Sequence, residues 1–327
     1  MVGLLLSACR PDSTPQDTPS AAARSERAPQ KRVKRPVIAA IRTAAQVQQL
    51  LASVDAVYDH FTVDTTLRVP DPRVAWRYRR AGVRAWERVD LDGNGRPDLV
   101  VTGLLDYGAP YPQTSEVVCL LDMGDSLVVD DLGRRHTRYG PVAQVVYRGG
   151  IPLLRYQDFA PPILQVDSLR DGQTFLLTYR FGGFTEYNPK PGRYGRLDSL
   201  SYKHDFAYND FFVSKLVLQA GGAAAYSACQ GPVLKQDGPT VCEQLTATVA
   251  AAPLAEINEL ANYLDAGQLQ PRYRAFINHV PDATLTLAYP GRRVRVIDEG
   301  EKATFGLTRL YALLSELRKT QQWQSAK

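Results

Sequence analysis

The sequence predicts an α+β fold: an N-terminal, mostly antiparallel β sheet or sandwich with one leading helix, followed by a β-β-α-β-β-α domain. Three observations predict it. Short β-prone runs separated by Gly, Pro and Asp fill residues 74 to about 220. One segment before them repeats apolar residues at intervals of three and four, and two segments after them do the same. Between those last two lies an unmistakable hairpin pattern.

The leading helix is expected over 43–61, TAAQVQQLLASVDAVYDHF. Thr43 and Gln46 have capping-box spacing, and Val47, Leu50, Leu51, Val54, Val57 and Tyr58 form one apolar face. The runs AWERVDL, DLVVTGLL, EVVCLLDM, DSLVVDDL, PVAQVVYR, IPLLRYQD and TFLLTYRF then read as strands. From residue 199 the order changes. SKLVLQAGGAAAYSA and PTVCEQLTATVA read as two strands. PLAEINELANYLD reads as a helix, with Pro253 early and Leu254, Ile257, Leu260 and Leu264 on one face. TLTLAYPGRRVRVID turns at Pro290-Gly291, and the last helix buries Leu307, Leu310, Tyr311, Leu314 and Leu317. The expected divisions are 1–8, 9–36, 37–198 and 199–327.

A chain of 327 residues with 44% apolar and 22% charged residues can bury a sizeable core. After the N-terminus no apolar run is long enough to span a bilayer, so the body is expected to be soluble. The net charge of +5 does not point to nucleic acid, because of where it sits. Residues 1–36 hold seven cations against three anions, which leaves the body at about +1. That basic, Pro/Ser/Ala-rich stretch cannot bury enough apolar surface to fold, and it suits a tether at an anionic membrane. In the body, Arg73, Arg77, Arg79, Arg80, Arg84 and Arg88 interleave with Trp76, Tyr78 and Trp86. The two accounts are a binding face and the solvated face of an edge strand.

At the start, MVGLLLSACRPDSTPQ places an apolar run before Cys9 and a polar stretch after it. Leu6-Ser7-Ala8-Cys9 resembles the lipobox of bacterial lipoproteins. The resemblance implies cleavage of residues 1–8, a lipidated Cys9, a membrane partner through the lipid, and a place in the cell envelope. Arg10 stands where many inner-membrane lipoproteins carry Asp, which implies the outer membrane. No basic residue precedes Cys9, so the start codon is expected upstream of Met1. Cys229 and Cys242 flank a turn-rich stretch with two Gly-Pro pairs and could form a cross-strand disulfide in an exported protein. Cys119 sits in a run that reads as a buried strand. No Cys/His spacing suggests zinc.

The most informative stretch is VDLDGNGRPDLVV. Counting Asp90 as position 1, side-chain oxygens fall at positions 1, 3, 5 and 9, from Asp90, Asp92, Asn94 and Asp98, with Gly95 at 6. The carbonyl of Arg96 can supply an oxygen at position 7. Ca²⁺ takes about six to eight hard oxygen ligands at about 2.3–2.6 Å, so a chain must curl around it, and alternate side chains with a glycine permit that. Position 12, where an EF-hand needs Glu, is Val101, and the flanks read as strands. The ten residues Asp90 to Leu99 resemble instead the calcium loop of FG-GAP and VCBS-type repeats. Those propellers carry several such loops and this chain has one, so the loop is expected on a single hairpin with a structural Ca²⁺. The other account is an empty Asp/Asn/Gly turn.

The C-terminal part resembles a domain of unknown function in lipoproteins of Bacteroidota. The matching stretches are Lys215 to Tyr226, the Leu254 to Leu264 helix, and Ala303-Thr304-Phe305-Gly306-Leu307 leading into the last helix and Trp323. Many members open with Cys-x-Gly-x-Cys-Pro, and here the equivalent YNDFFVSKLVL has no cysteine. The resemblance therefore implies location and fold but no activity. His60, His136, His204 and His279 are scattered and form no HExxH or HxH pattern. RFGGFTEYNPKPGRYGR, residues 180–196, reads as a glycan-contacting loop or a structured turn.

Two functions follow. The first is a membrane-anchored, non-enzymatic binding or structural lipoprotein with a calcium-stabilised hairpin, an unidentified protein or glycan partner, and no nucleic acid. The second is a secreted hydrolase of envelope polymer that uses paired carboxylates such as Asp205 or Asp210.

Overall fold

A computed structural model describes residues 38–64, 76, 79–80, 82–106, 114–132, 139–159, 171–192, 194–207, 210–232, 240–274, 281–301 and 303–326. Cys9, the segments 1–8 and 9–36, Arg73, Arg77, Tyr78, His136 and His279 lie outside them.

The fold is mixed α+β, and its sheets are mostly antiparallel. Helix α1 (Ala44–Val54) starts at the Thr43/Gln46 capping box: Gln46 N donates to Thr43 Oγ1 (3.3 Å) and Thr43 N to Gln46 Oε1 (3.1 Å). It stops earlier than its apolar periodicity predicts. Asp55 is extended, and its carboxylate accepts from Val57 N at 3.0 Å, so a local side-chain bond replaces the helical ladder and opens a short 3₁₀ turn, Ala56–His60.

The first sheet contains β1 (Phe61–Val63), β2 (Trp86–Val89), β3 (Asp98–Leu105), β4 (Thr114–Asp122) and β5 (Leu127–Asp131), with β1 and β2 both paired to β3. Strand β3 is buried on both sides, and the two-residue alternation of a strand explains how. Leu99, Val101 and Leu105 pack with Val47, Leu50 and Leu51 of α1, whereas Val100 joins Val117, Cys119 and Leu121 in a different core. That core is shared with the second sheet, formed by β6 (Tyr139–Arg148), β7 (Ile151–Phe159), β8 (Asp171–Arg180) and β9 (Gly183–Glu186) in sequential order. Cys119 is buried in this core.

The third sheet has eight strands: β10 (Ser199–Ala207), β11 (Asp210–Gln219), β12 (Ala223–Pro232), β13 (Val241–Thr248), β14 (Arg272–Tyr273), β15 (Asp282–Tyr289), β16 (Arg292–Glu299) and β17 (Gln324–Ser325). Their order is β14-β16-β15-β10-β11-β12-β13-β17, and only β14–β16 is parallel. Helices α2 (Ala251–Tyr263) and α3 (Phe305–Thr320) cover one face, where Ile257, Leu260, Leu307, Leu310 and Leu314 meet Leu200, Leu216, Leu285 and Leu287. The β-β-α-β-β-α expectation undercounts this region: four strands precede α2. The run read as one strand is a hairpin, because Gly222 (φ +87°) closes a turn with its N–H on Gln219 O at 2.9 Å. The run beginning at Ser199 adds the fourth strand.

Residues 180–197 join the second sheet to the helices. Glu186 at the end of β9 accepts from Phe305 N (2.7 Å) and Gly306 N (2.9 Å) at the start of α3. Phe305 leaves its own helix layer and inserts between Tyr156 and Phe175, with ring centroids 5.1 and 5.4 Å away. Buried Arg309 donates to Phe181 O in the β8–β9 turn. Farther on, Asn188 bonds to Tyr263, Gly195 O accepts from Asn262, and Leu197 N donates to Asn258 Oδ1. This aromatic stretch is therefore packed along α2 and α3.

Candidate metal centre

The acidic loop links β2 to β3, whose register pairs Val89 with Asp98. Gly93 and Gly95 both have positive φ, +74° and +82°, which residues with a side chain rarely adopt. Those two positions allow the loop to fold back on Asp90, whose carboxylate accepts from Gly93 N (2.9 Å) and Gly95 N (2.9 Å). Asp92 accepts from Asn94 N at 3.0 Å, and Asn94 Oδ1 accepts from Arg96 N at 2.8 Å. These successive Asx turns hold the acidic side chains in place.

The loop brings together Asp90, Asp92 and Asp98, with one carboxylate oxygen from each inside 4.8 Å of the others. Asp98 is fully buried. Its Oδ2 accepts from Leu91 N and its Oδ1 from Asp122 N, at 2.7 and 2.8 Å. Burial pushes its carboxyl up to about 6, although both amides and the neighbouring charges also act on it. Asp92 is raised as well, first by burial and then by the charge of Asp90. None of the three makes an ion pair among the described residues. The cation of the loop, Arg96, turns to Asp122 instead, at 3.7 Å.

The side chains of Asn94 and Arg96 make further contacts around the loop. Asn94 Nδ2 donates to Asp92 Oδ2 and to Asp122 O, both at 2.8 Å. The Arg96 side chain lies over Gly124, where a Cβ would fall 2.1 Å from its guanidinium. The β4–β5 turn is thus part of the site: Asp122 and Gly124 seat the loop. Sequence reasoning missed them because Asp122 lies 24 residues beyond Asp98 and no spacing rule links the two.

The donor set fits a hard divalent cation. Three carboxylates converge with no ion pair among the described residues, and burial disfavours the ionised forms of Asp92 and Asp98, so a cation held by oxygen atoms would relieve both. Asp90, Asp92 and Asp98 would hold it.

The remaining singled-out residues lie elsewhere. Cys229 and Cys242 face each other in the β12–β13 register and are joined by a disulfide. Asp205 lies on the face of the third sheet away from the helices, opposite Asp282, and Lys203 Nζ is 2.6 Å from it. The side chain of Asp210, at the start of β11, is outside the described residues. His60 is exposed, and His204 contacts Glu301. Arg84 is exposed beside Glu87, and Arg88 donates to Ala39 O. Among the described residues, no helix is long and apolar enough to cross a membrane.

No family model, no curated protein and no solved structure matches this chain.

Proposed function

We propose that this chain is a non-enzymatic envelope lipoprotein whose β2–β3 hairpin is stabilised by Ca²⁺. The observation that carries the metal part is the convergence of Asp90, Asp92 and Asp98 around buried Asp98. Glycines at positive φ and a succession of Asx turns support the same reading. The role is structural: the loop braces β2, β3 and the β4–β5 turn. Calcium suits an envelope location, where sites as weak as about 10⁻⁴–10⁻³ M still fill. The lipobox at Cys9 and the basic tether supply the membrane attachment in this reading, with the outer membrane as its place. Residues 37–198 form a β-sandwich that presents the loop, and 199–327 form an α+β domain that meets an unidentified protein or glycan. The Cys229–Cys242 disulfide is consistent with export.

The test is thermal melting with millimolar Ca²⁺, with EDTA, and with Mg²⁺. A cation that binds only the folded state adds about 2.7 kcal/mol at a hundredfold excess over its Kd. A calcium-dependent rise in Tm is expected in the unmodified chain and is expected to vanish in Asp92→Asn. Identical melting in calcium and EDTA would remove the metal from the reading.

A further inference from the structure

The connection between β16 and α3 leads into Phe305 and Gly306, which reach the second sheet, and a polar cluster holds it. Glu301 adopts φ +55°, a left-handed conformation that costs a residue with a Cβ about 1–2 kcal/mol, so surrounding contacts must hold it there. Three such contacts are present. His204 Nδ1 lies 2.6 Å from Glu301 Oε1, and Tyr202 OH donates to the same oxygen at 2.8 Å. Thr308 Oγ1, in the first turn of α3, donates to Glu301 O at 3.2 Å. Two neighbouring side chains of β10 therefore clasp the turn, four residues before Phe305 and five before Gly306.

We propose that the His204–Glu301 contact is a pH-sensitive clasp that tunes how firmly the start of α3 is docked on the second sheet. The geometry gives one imidazole and one carboxylate in direct contact, partly shielded from water. Their side chains are 23% and 21% exposed, so the interaction is screened less than a surface pair. From β11 the Phe212 ring packs against His204, with centroids 5.8 Å apart, and it adds no charge. From β10 come Tyr202 and Asp205; from β15, Asp282 interacts with Glu301. From α3, Tyr311 interacts with Glu301, and on β10 Lys203 pairs with Asp205; among the described residues Glu301 and Asp205 are the groups that favour a charged imidazole.

Burial pushes the His204 imidazole down, but the hydrogen bond and charge of Glu301, with Asp205 behind them, outweigh it and leave it above its usual 6.5. The sign follows. A histidine raised in the folded state stabilises fully below 6.5, and that contribution is lost as pH rises through the folded value. The clasp is therefore tight in mildly acidic medium and loosens on alkalinisation.

The experiment follows the His204 Cε1 proton by NMR in the unmodified chain and in Glu301→Gln, with His204→Gln to assign the signal. Amide exchange at Phe305 and Gly306, corrected for the intrinsic effect of pH, is measured across the same range. The expected result is a His204 midpoint above 6.5 that falls in Glu301→Gln, and exchange that accelerates through that midpoint in the unmodified chain but not in His204→Gln. A midpoint at or below 6.5 in the unmodified chain overturns the proposal. Exchange with the same pH profile in both chains overturns it equally, because the pair would then not reach the docking contact.

Discussion

Two carboxylates in this protein, buried Asp98 and half-buried Glu186, do the same thing in different electrostatic settings. Asp98 accepts Leu91 N and Asp122 N; Glu186 accepts Phe305 N and Gly306 N. Burial raises both carboxyls. Glu186, however, stands at the N-terminus of α3, where unpaired amides and the positive end of the helix dipole answer its charge. Asp98 meets two further carboxylates, Asp90 and Asp92. The first arrangement is complete within the chain. The second gathers three carboxylates, and that difference separates a structural joint from a candidate metal site.

The comparison can be broken most directly at the joint. Glu186→Ala leaves two helix-start amides without their acceptor, and hydrogen bonds to a charged group contribute about 1.5–3 kcal/mol each. A loss of roughly 3 kcal/mol is expected in denaturant unfolding, and it should be equal in calcium and in EDTA. A loss that calcium rescues would mean that the two sites are coupled and the contrast is false.

The acidic loop should respond to pH and to calcium together. With its carboxyl at about 6, Asp98 contributes stability below its ordinary 3.8, and that contribution is lost as pH rises through 6 in the absence of metal. A bound cation reverses the cost of ionising it, while protons compete with that cation below 6. The calcium-induced rise in Tm is therefore expected to be larger at pH 7.5 than at pH 5. A rise independent of pH would take Asp98 out of the ligand set.

The smallest effect sharpens the contrast from outside. Thr43→Ala removes the N-cap of α1, at a cost of about 1 kcal/mol by unfolding. Because that cap is local and touches neither carboxylate, its cost should add to that of Glu186→Ala. A large departure from additivity would show that α1 and the joint share a cooperative contact.

Much of the fold was legible where neighbours in sequence are neighbours in space. The Thr43/Gln46 box and the Pro290-Gly291 hairpin stand where their spacing places them. The convergence of Asp90, Asp92 and Asp98 could be read from nine residues because alternate side chains and two glycines specify a curl by themselves. Where reading failed, a competing local bond or a distant partner was responsible. Asp55 ended α1 by bonding forward, and the turn at Gly222 split an apparent strand into two.

By itself, the sequence determined the α+β class, most strands, helices α1, α2 and α3 and the acidic loop, because each rests on periodicity, capping or turn chemistry within about a dozen residues. Only the tertiary structure decided that Asp122 and Gly124 seat that loop, and that Glu186 caps a helix 119 residues away. It alone decided that Phe305 belongs to the core of another sheet and that His204 meets Glu301. Those contacts are made by single side chains across long stretches of chain, where packing and burial set the partner and no spacing rule can.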